Sequence, residues 1–177
     1  MKPPKLSETA ITHVRSTNRP GQSNPAREPG SACPGKRILL VDDDPTVRDS
    51  LNDVLLAEGY FIIPAENGQR APDLANKSSV DLVLLDLKMP VKNGWDTFEQ
   101  LTREHPLIPI IIATARPNQL FTALGAGAGA LLEKPMDIPT LLRTMGKLLA
   151  ETAEQRLARL AGQKAEFHYN PSKPSRD

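Results

Sequence analysis

A chain of 177 residues has room for one domain and little more. Hydrophobic residues make up 39% and charged residues 24%, the balance of a soluble globular protein, and a net charge of +1 gives no field that would draw the chain to nucleic acid or a membrane surface. No apolar run approaches the roughly 18 residues of a membrane span, the first residues lack the apolar core of a signal peptide, and the single cysteine, Cys33, excludes an internal disulfide, which points to a reducing compartment, the cytoplasm.

Residues 1–35 hold six prolines, three glycines and few apolar side chains. Such a stretch cannot bury enough surface to offset its ordering entropy, so it reads as a disordered tail. The pattern changes at residue 36. "RILLV" (37–41) is a strand, and "PTVRDSLNDVLLAEGY" (45–60) places Val47, Leu51, Val54 and Leu55 on one helical face, with Gly59 as its stop. "FIIPA" (61–65) is a short strand; its proline fits an end or an edge. Residues 68–79 form a weak helix, because Pro72 is tolerated only in a first turn. "DLVLLD" (81–86) is a third strand and 94–105 a helix stopped before Pro106. "IPIIIAT" (108–114) is the fourth strand, 117–128 a short helix broken by glycines, "ALLEK" (130–134) the fifth strand, and 137–162 one long last helix. A polar, disordered tail closes the chain.

Continuous apolar strands alternating with helices predict parallel strands covered on both faces. The expected fold is α/β: a doubly wound, five-stranded parallel sheet of order 2-1-3-4-5, flavodoxin-like, over residues 36–150. Residues 151–177 are too few for a second domain or a DNA-binding helix-turn-helix.

In that topology the C-terminal strand ends share one edge. The first strand ends in Asp42, Asp43 and Asp44, the third in Asp86, the fourth in Thr114 and the fifth in Lys134. Carboxylates brought together repel unless a cation joins them. A hard divalent ion with oxygen ligands suits the set, Mg2+ better than Ca2+ because few protein ligands are available. A metal, an ammonium group and a hydroxyl around a central carboxylate make a cradle for a phosphoryl group, with Asp86 as the nucleophile. His13, His105 and His168 stand singly, without the neighbours of a zinc site.

"ILLVDDDPTVR", "DLVLLDLKMPVKNG", "IPIIIATA" and "LLEKP" together resemble the receiver domain of two-component response regulators, over roughly 36–150. The resemblance implies Asp86 as phosphoacceptor, Asp43 as a direct Mg2+ ligand, Asp42 as a ligand through water, and the backbone carbonyl of Lys88 as a further ligand. It implies Thr114 as a switch hydroxyl, Lys134 as the family's lysine, and a cis bond between Lys134 and Pro135. It also implies a signalling protein rather than a turnover enzyme. The phosphoryl donor would be a histidine kinase or histidine phosphotransfer protein, and the signal would pass to an unidentified downstream protein. Asp44 has no site role and is expected to cap the helix after it.

The sequence departs from the family at Leu131, where an aromatic is common, and is about two residues short between Thr114 and Lys134. Lys88 and Arg116 flank the expected pocket mouth, either as modulators of phosphoryl lifetime or as ordinary surface charges. Trp95 reads as a packed, half-exposed helix residue. The apolar positions Leu142, Leu149, Ala153, Leu157 and Leu160 on the last helix suggest either a frayed extension or a surface for homodimerisation or for docking a partner. The alternative to a phosphoacceptor is a receiver-fold adaptor with a vestigial pocket.

Overall fold

Four consecutive apolar residues, Leu82–Leu85, form strand β3, and all four are buried. Only a sheet covered on both faces can bury such a run. A computed structural model describes residues 35–90, 93–116, 118–163 and 166–171, and β3 lies near the middle of its sheet. The expectations for the N-terminal tail (residues 1–34) and the last six residues lie outside the described residues.

The elements run β1 (Arg37–Val41), α1 (Pro45–Ala57), β2 (Phe61–Ala65), α2 (Arg70–Lys77), β3, α3 (Gly94–Glu104), β4 (Ile110–Thr114), α4 (Leu120–Gly125), β5 (Ala130–Glu133), α5 (Ile138–Leu149), α6 (Ala153–Leu160) and β6 (His168–Asn170). The sheet order is β2-β1-β3-β4-β5-β6, and every pairing is parallel. The period of two along each strand sorts the core into two layers. Leu39, Val41, Val83 and Leu85 pack with Ala71 and Ala75 of α2, Phe98 and Leu101 of α3, and Ala123 of α4. Ile38, Leu40, Leu82 and Leu84 pack with Leu51 and Leu55 of α1 and Leu141, Met145 and Leu148 of α5.

Local chemistry sets the helix limits. Asp44 caps α1 by accepting from the Thr46 N–H at 2.8 Å, and Gly59 follows its end with φ 88°. That backbone conformation is costly for other residues. Pro72 is the third residue of α2 and so sits in its first turn. The α4 helix has six residues, in keeping with its glycine-rich sequence. Asp137 caps α5 through the Thr140 N–H at 2.9 Å.

Two expectations fail at the C-terminus. The single helix over 137–162 is instead α5 and α6, separated at Ala150–Thr152. The cause is a capping box: the Gln155 N–H donates to Thr152 Oγ1 at 3.2 Å and the Thr152 N–H to Gln155 Oε1 at 2.9 Å. These side-chain bonds satisfy the backbone groups of a new helix start. The apolar stripe therefore does not continue along one helix. Leu142 and Leu149 pack on the core, while Leu157 is 50% exposed.

The second failure is the tail. Residues 168–170 are not a disordered segment but a sixth strand, registered Ala130↔His168, Leu131↔Tyr169 and Leu132↔Asn170. The five-stranded expectation becomes six, and the sheet continues past residue 150. Phe167 packs on the first core layer, and the Tyr169 hydroxyl donates to Glu133 Oε1 at 2.9 Å. A strand this short is held by those side chains as much as by its ladder. Among the described residues no helix is long and apolar enough to cross a membrane.

Candidate functional site

The neighbouring order β1-β3-β4-β5 brings four strand ends to one edge. The end of β3 is tied to β1, with the Asp86 N–H donating to the Val41 carbonyl at 2.9 Å. The end of β5 is tied to β4 through the Lys134 N–H and the Thr114 carbonyl, also at 2.9 Å. Asp42, Asp86 and Lys134 thus leave their strands side by side.

Lys134 Nζ donates at 2.7 Å to Asp42 Oδ2 and at 2.7 Å to Asp86 Oδ2. Asp42 is 3% exposed and Asp86 8% exposed, so both pairs are shielded from water. The second oxygen of each acid faces backbone. Asp42 Oδ1 accepts from the Asp44 N–H at 3.0 Å, and Asp86 Oδ1 from the Lys88 N–H at 2.9 Å. A buried carboxylate is tolerated when each oxygen has such a partner. Burial alone would lower the Lys134 ammonium's pKa, but the bonds to Asp42 and Asp86 and their charges outweigh it and hold Lys134 above the ordinary lysine value.

Asp43 is exposed, yet it completes the cluster: carboxylate oxygens of Asp42, Asp43 and Asp86 lie within 4.8 Å of one another. Opposite ligands of a small hard cation stand about 4 Å apart. Among the described residues Lys134 is the one side-chain cation bonded to carboxylate oxygens of this cluster, through Asp42 and Asp86, which leaves negative charge that a divalent ion would balance. The donor set, all oxygen and mostly anionic, fits Mg2+ chemistry.

The other expected residues sit as follows. Thr114 is fully buried at the end of β4, and its hydroxyl accepts from the Arg116 N–H at 3.2 Å. Among the described residues no hydrogen bond joins it to Asp86. Lys88 meets Asp86 through its amide, and its side chain is exposed. Arg116 is partly buried. The Lys134–Pro135 bond is cis. Leu131 is fully buried in the first core layer. Trp95 is half-buried, edge-on to Phe98, and its Nε1 donates to Gln119 Oε1 at 3.0 Å. Of the histidines, His13 is outside the described residues, His105 ends α3 and His168 lies on β6.

One contributor escapes a reading of the sequence alone. Arg48 Nη1 donates to the Asp42 carbonyl at 2.6 Å, placing another cation behind the cluster. Its signal is its place one turn into α1, directly above the acidic strand end. Gly94 closes the motif that follows Asp86, and the packing gives the reason for it. A Cβ there would lie 2.4 Å from Leu87 Cα and 2.7 Å from the Asp86 carbonyl oxygen. Only glycine lets the start of α3 close over the backbone that presents Asp86.

A family model described as response regulator receiver domain matches residues 38–145. Protein PilH of Pseudomonas aeruginosa is 40% identical over 118 residues, covering 64% of this chain and 98% of that protein. The transcriptional regulatory protein CpxR of Escherichia coli K12 is 41% identical over 115 residues, covering 64% of this chain but only 49% of CpxR. The chain therefore spans nearly all of one relative and about half of the other. Among solved structures, the response regulator TrrA of Thermotoga maritima, in complex with Mg2+–BeF, is 33% identical with a TM-score of 0.60, covering 64% of this chain and 98% of that one. A CheY-like receiver domain protein of Methanospirillum hungatei is 31% identical with a TM-score of 0.63, covering 68% of this chain and 98% of that one. The family match runs from β1 into α5 and takes in Asp42, Asp43, Asp86, Thr114 and Lys134; the chain belongs to the response regulator receiver domain family.

Proposed function

We propose that this receiver domain is a phosphoacceptor, taking a phosphoryl group on Asp86 from a phosphohistidine. The observation that carries the reading is Lys134, which bridges Asp42 and Asp86 at 2.7 Å each within an acidic cluster. An ammonium group held there by two carboxylates is poised to follow negative charge as it builds on the oxygens around phosphorus. The bond from an Asp86 oxygen to phosphorus forms as the phosphorus–nitrogen bond of the phosphoimidazole breaks. The departing nitrogen keeps the electron pair, and its ring leaves neutral, carrying the proton on its other nitrogen. The Lys88 N–H, donating to Asp86 Oδ1, fixes the carboxylate's rotation. Asp42, Asp43, Asp86 and the Lys88 carbonyl would hold Mg2+, whose chemistry there is to neutralise phosphoryl oxygens.

Thr114 stands one strand away and is read as the hydroxyl that turns towards the phosphoryl group once it is present. The donor is a histidine kinase or histidine phosphotransfer protein. The output is binding of a downstream protein or onward transfer of the phosphate. Hydrolysis of the acyl phosphate returns the chain to its starting state, so it turns over no substrate beyond its own phosphate.

Incubating the full chain with acetyl phosphate and Mg2+ and measuring intact mass tests the reading. One phosphate adduct is expected, absent from Asp86→Asn and suppressed by a chelator. If wild type gains no adduct, the chain is a receiver-fold adaptor whose pocket is vestigial.

A further inference from the structure

Arg156 and Arg159 lie on the inward face of α6 and are 4% and 6% exposed. Both lean on one carboxylate. Arg156 Nη2 donates to Glu151 Oε2 at 2.9 Å and Arg159 Nη2 to the same oxygen at 3.0 Å, while Arg159 Nη1 takes Oε1. Backbone carbonyls supply the rest: Leu148 accepts from Arg156 Nη2 at 3.4 Å and Gly127 from Arg159 Nε at 3.2 Å. The count is two cations to one anion, away from water. Among the described residues Glu151 is the one carboxylate within ion-pair distance of either guanidinium. Burial, more than either neighbouring charge, pushes the Arg156 pKa down to about 10, which leaves the group cationic at neutral pH.

One donor is also left over. Arg156 Nη1 is buried and, among the described residues, has no hydrogen-bond partner. Leaving such a group unpaired is costly, the more so because it is charged. Arg156 and Arg159 line a small cavity together with Thr102, Ile108, Ile110 and Leu160. The space open to the centre of a water-sized particle is about 10 Å³, room for one small ion or one water but not for a phosphate or an organic acid.

We propose that this cavity binds a single monovalent anion of halide size, chloride in the cell, at Arg156 Nη1, and that the anion fastens α6 to the receiver domain. A neutral water could accept the hydrogen bond but would leave the excess charge buried. A halide does both. The site lies where α6 crosses the start of β5: a Cβ on Gly127 would lie 3.0 Å from the Leu160 side chain and 3.3 Å from the Arg159 carbonyl oxygen. Chloride binds only when α6 is seated, so it stabilises the seated state by mass action.

The test compares thermal unfolding of the full chain in sodium chloride and in sodium isethionate, a bulky anion, at equal ionic strength. Chloride well above its dissociation constant is expected to raise the midpoint by about 3 °C, and Arg156→Met to abolish the difference. The 35Cl resonance should broaden with wild type and not with Arg156→Met. Equal midpoints in the two salts, or a chloride effect that survives in Arg156→Met, overturns the proposal. If Arg156→Met does not fold, the 35Cl measurement on wild type decides alone: broadening reversed by added bromide supports the site, and an unbroadened line leaves only water there.

Discussion

Lys134 is the counter-ion for two carboxylates that water hardly reaches, and its loss should cost more than an ordinary surface charge. Lys134→Ala leaves Asp42 and Asp86 facing one another with only backbone N–H partners. Removing one partner of a buried ion pair costs about 3 kcal/mol or more, and urea unfolding at neutral pH should show a loss of that size. Added Mg2+ should restore part of it, since it supplies the missing positive charge. A variant as stable as wild type without Mg2+ would mean that the cluster is better solvated than its burial implies. The sign of the pH dependence is fixed by the raised value of Lys134. Its stabilisation is fully present below the ordinary value of 10.5 and is lost only as pH climbs through the raised one. The penalty in Lys134→Ala should therefore stay constant across the neutral range. Gly94 makes a different demand on a single position. The atoms a Cβ would meet are backbone, Leu87 Cα and the Asp86 carbonyl, which cannot swing aside as a side chain can. Gly94→Ala should destabilise the domain by about 3 kcal/mol and shift the amide resonance of Lys88, the group that orients the acceptor. An unmoved Lys88 resonance would show that α3 yields and the acceptor loop does not.

At the scale of elements, α6 is held by a charge knot more than by apolar area. Glu151→Gln removes the one carboxylate shared by Arg156 and Arg159. Two uncompensated buried guanidiniums cost several kcal/mol, which exceeds what a short helix and a three-residue strand can offer in return. The variant should therefore release the segment rather than unfold the domain. Hydrogen exchange should show the β6 amides losing protection while those of β1 and β3 keep theirs, and limited proteolysis should cut between 150 and 166. Global unfolding in one step would instead mean that α6 and β6 belong to the same cooperative unit as the core. This knot also marks where a reading of the sequence stops. The strands of the central sheet are plain in "LVLL" and "IIIAT", because four or five apolar residues in a row have no other soluble solution. The cap at Asp44 is plain because it stands before a proline-bearing first turn; Asp137, which the spacing places inside the last helix, caps α5 in the same way. The α5–α6 break is not plain, because the apolar spacing runs through it. The Thr152–Gln155 box stands in the sequence, but the apolar period runs on across it and gives no sign of a break. Glu151 reaches residues five and eight positions on, spacings that pair only because the helix is interrupted. The acidic cleft was legible because fold topology alone joins its strand ends. Arg48 and the Lys88 amide were not, since one acts on a carbonyl and the other through its backbone.

For the whole molecule, the C-terminal segment turns a five-stranded receiver sheet into a six-stranded one, and its hold should depend on pH. His168 sits between β5 and the end of α5, its Nδ1 3.5 Å from Glu166. Burial first, and the Lys147 charge second, push its pKa below the ordinary value of 6.5. Glu166 and Glu151 pull the other way, and Arg159 adds to the downward push. The folded state therefore prefers neutral His168, while the released strand takes up a proton more readily. Stability is fully present above 6.5 and falls as pH drops through the depressed value. Asp81, lowered by the Arg37 N–H and Lys36 against the opposing effect of burial, loses its contribution only below the ordinary aspartate range and leaves this window clear. Acidification from pH 7.5 to 5.5 should thus lower the protection factor of the His168 amide, its exchange rate taken relative to the slower intrinsic rate at each pH; this amide donates to the Gly129 carbonyl at 3.4 Å, and its protection should fall before that of any core amide. His168→Gln should flatten that response, because it keeps a polar side chain and removes the titration. A β6 protection profile that stays flat in wild type, or falls identically in His168→Gln, would mean that the strand is held without regard to this histidine's charge.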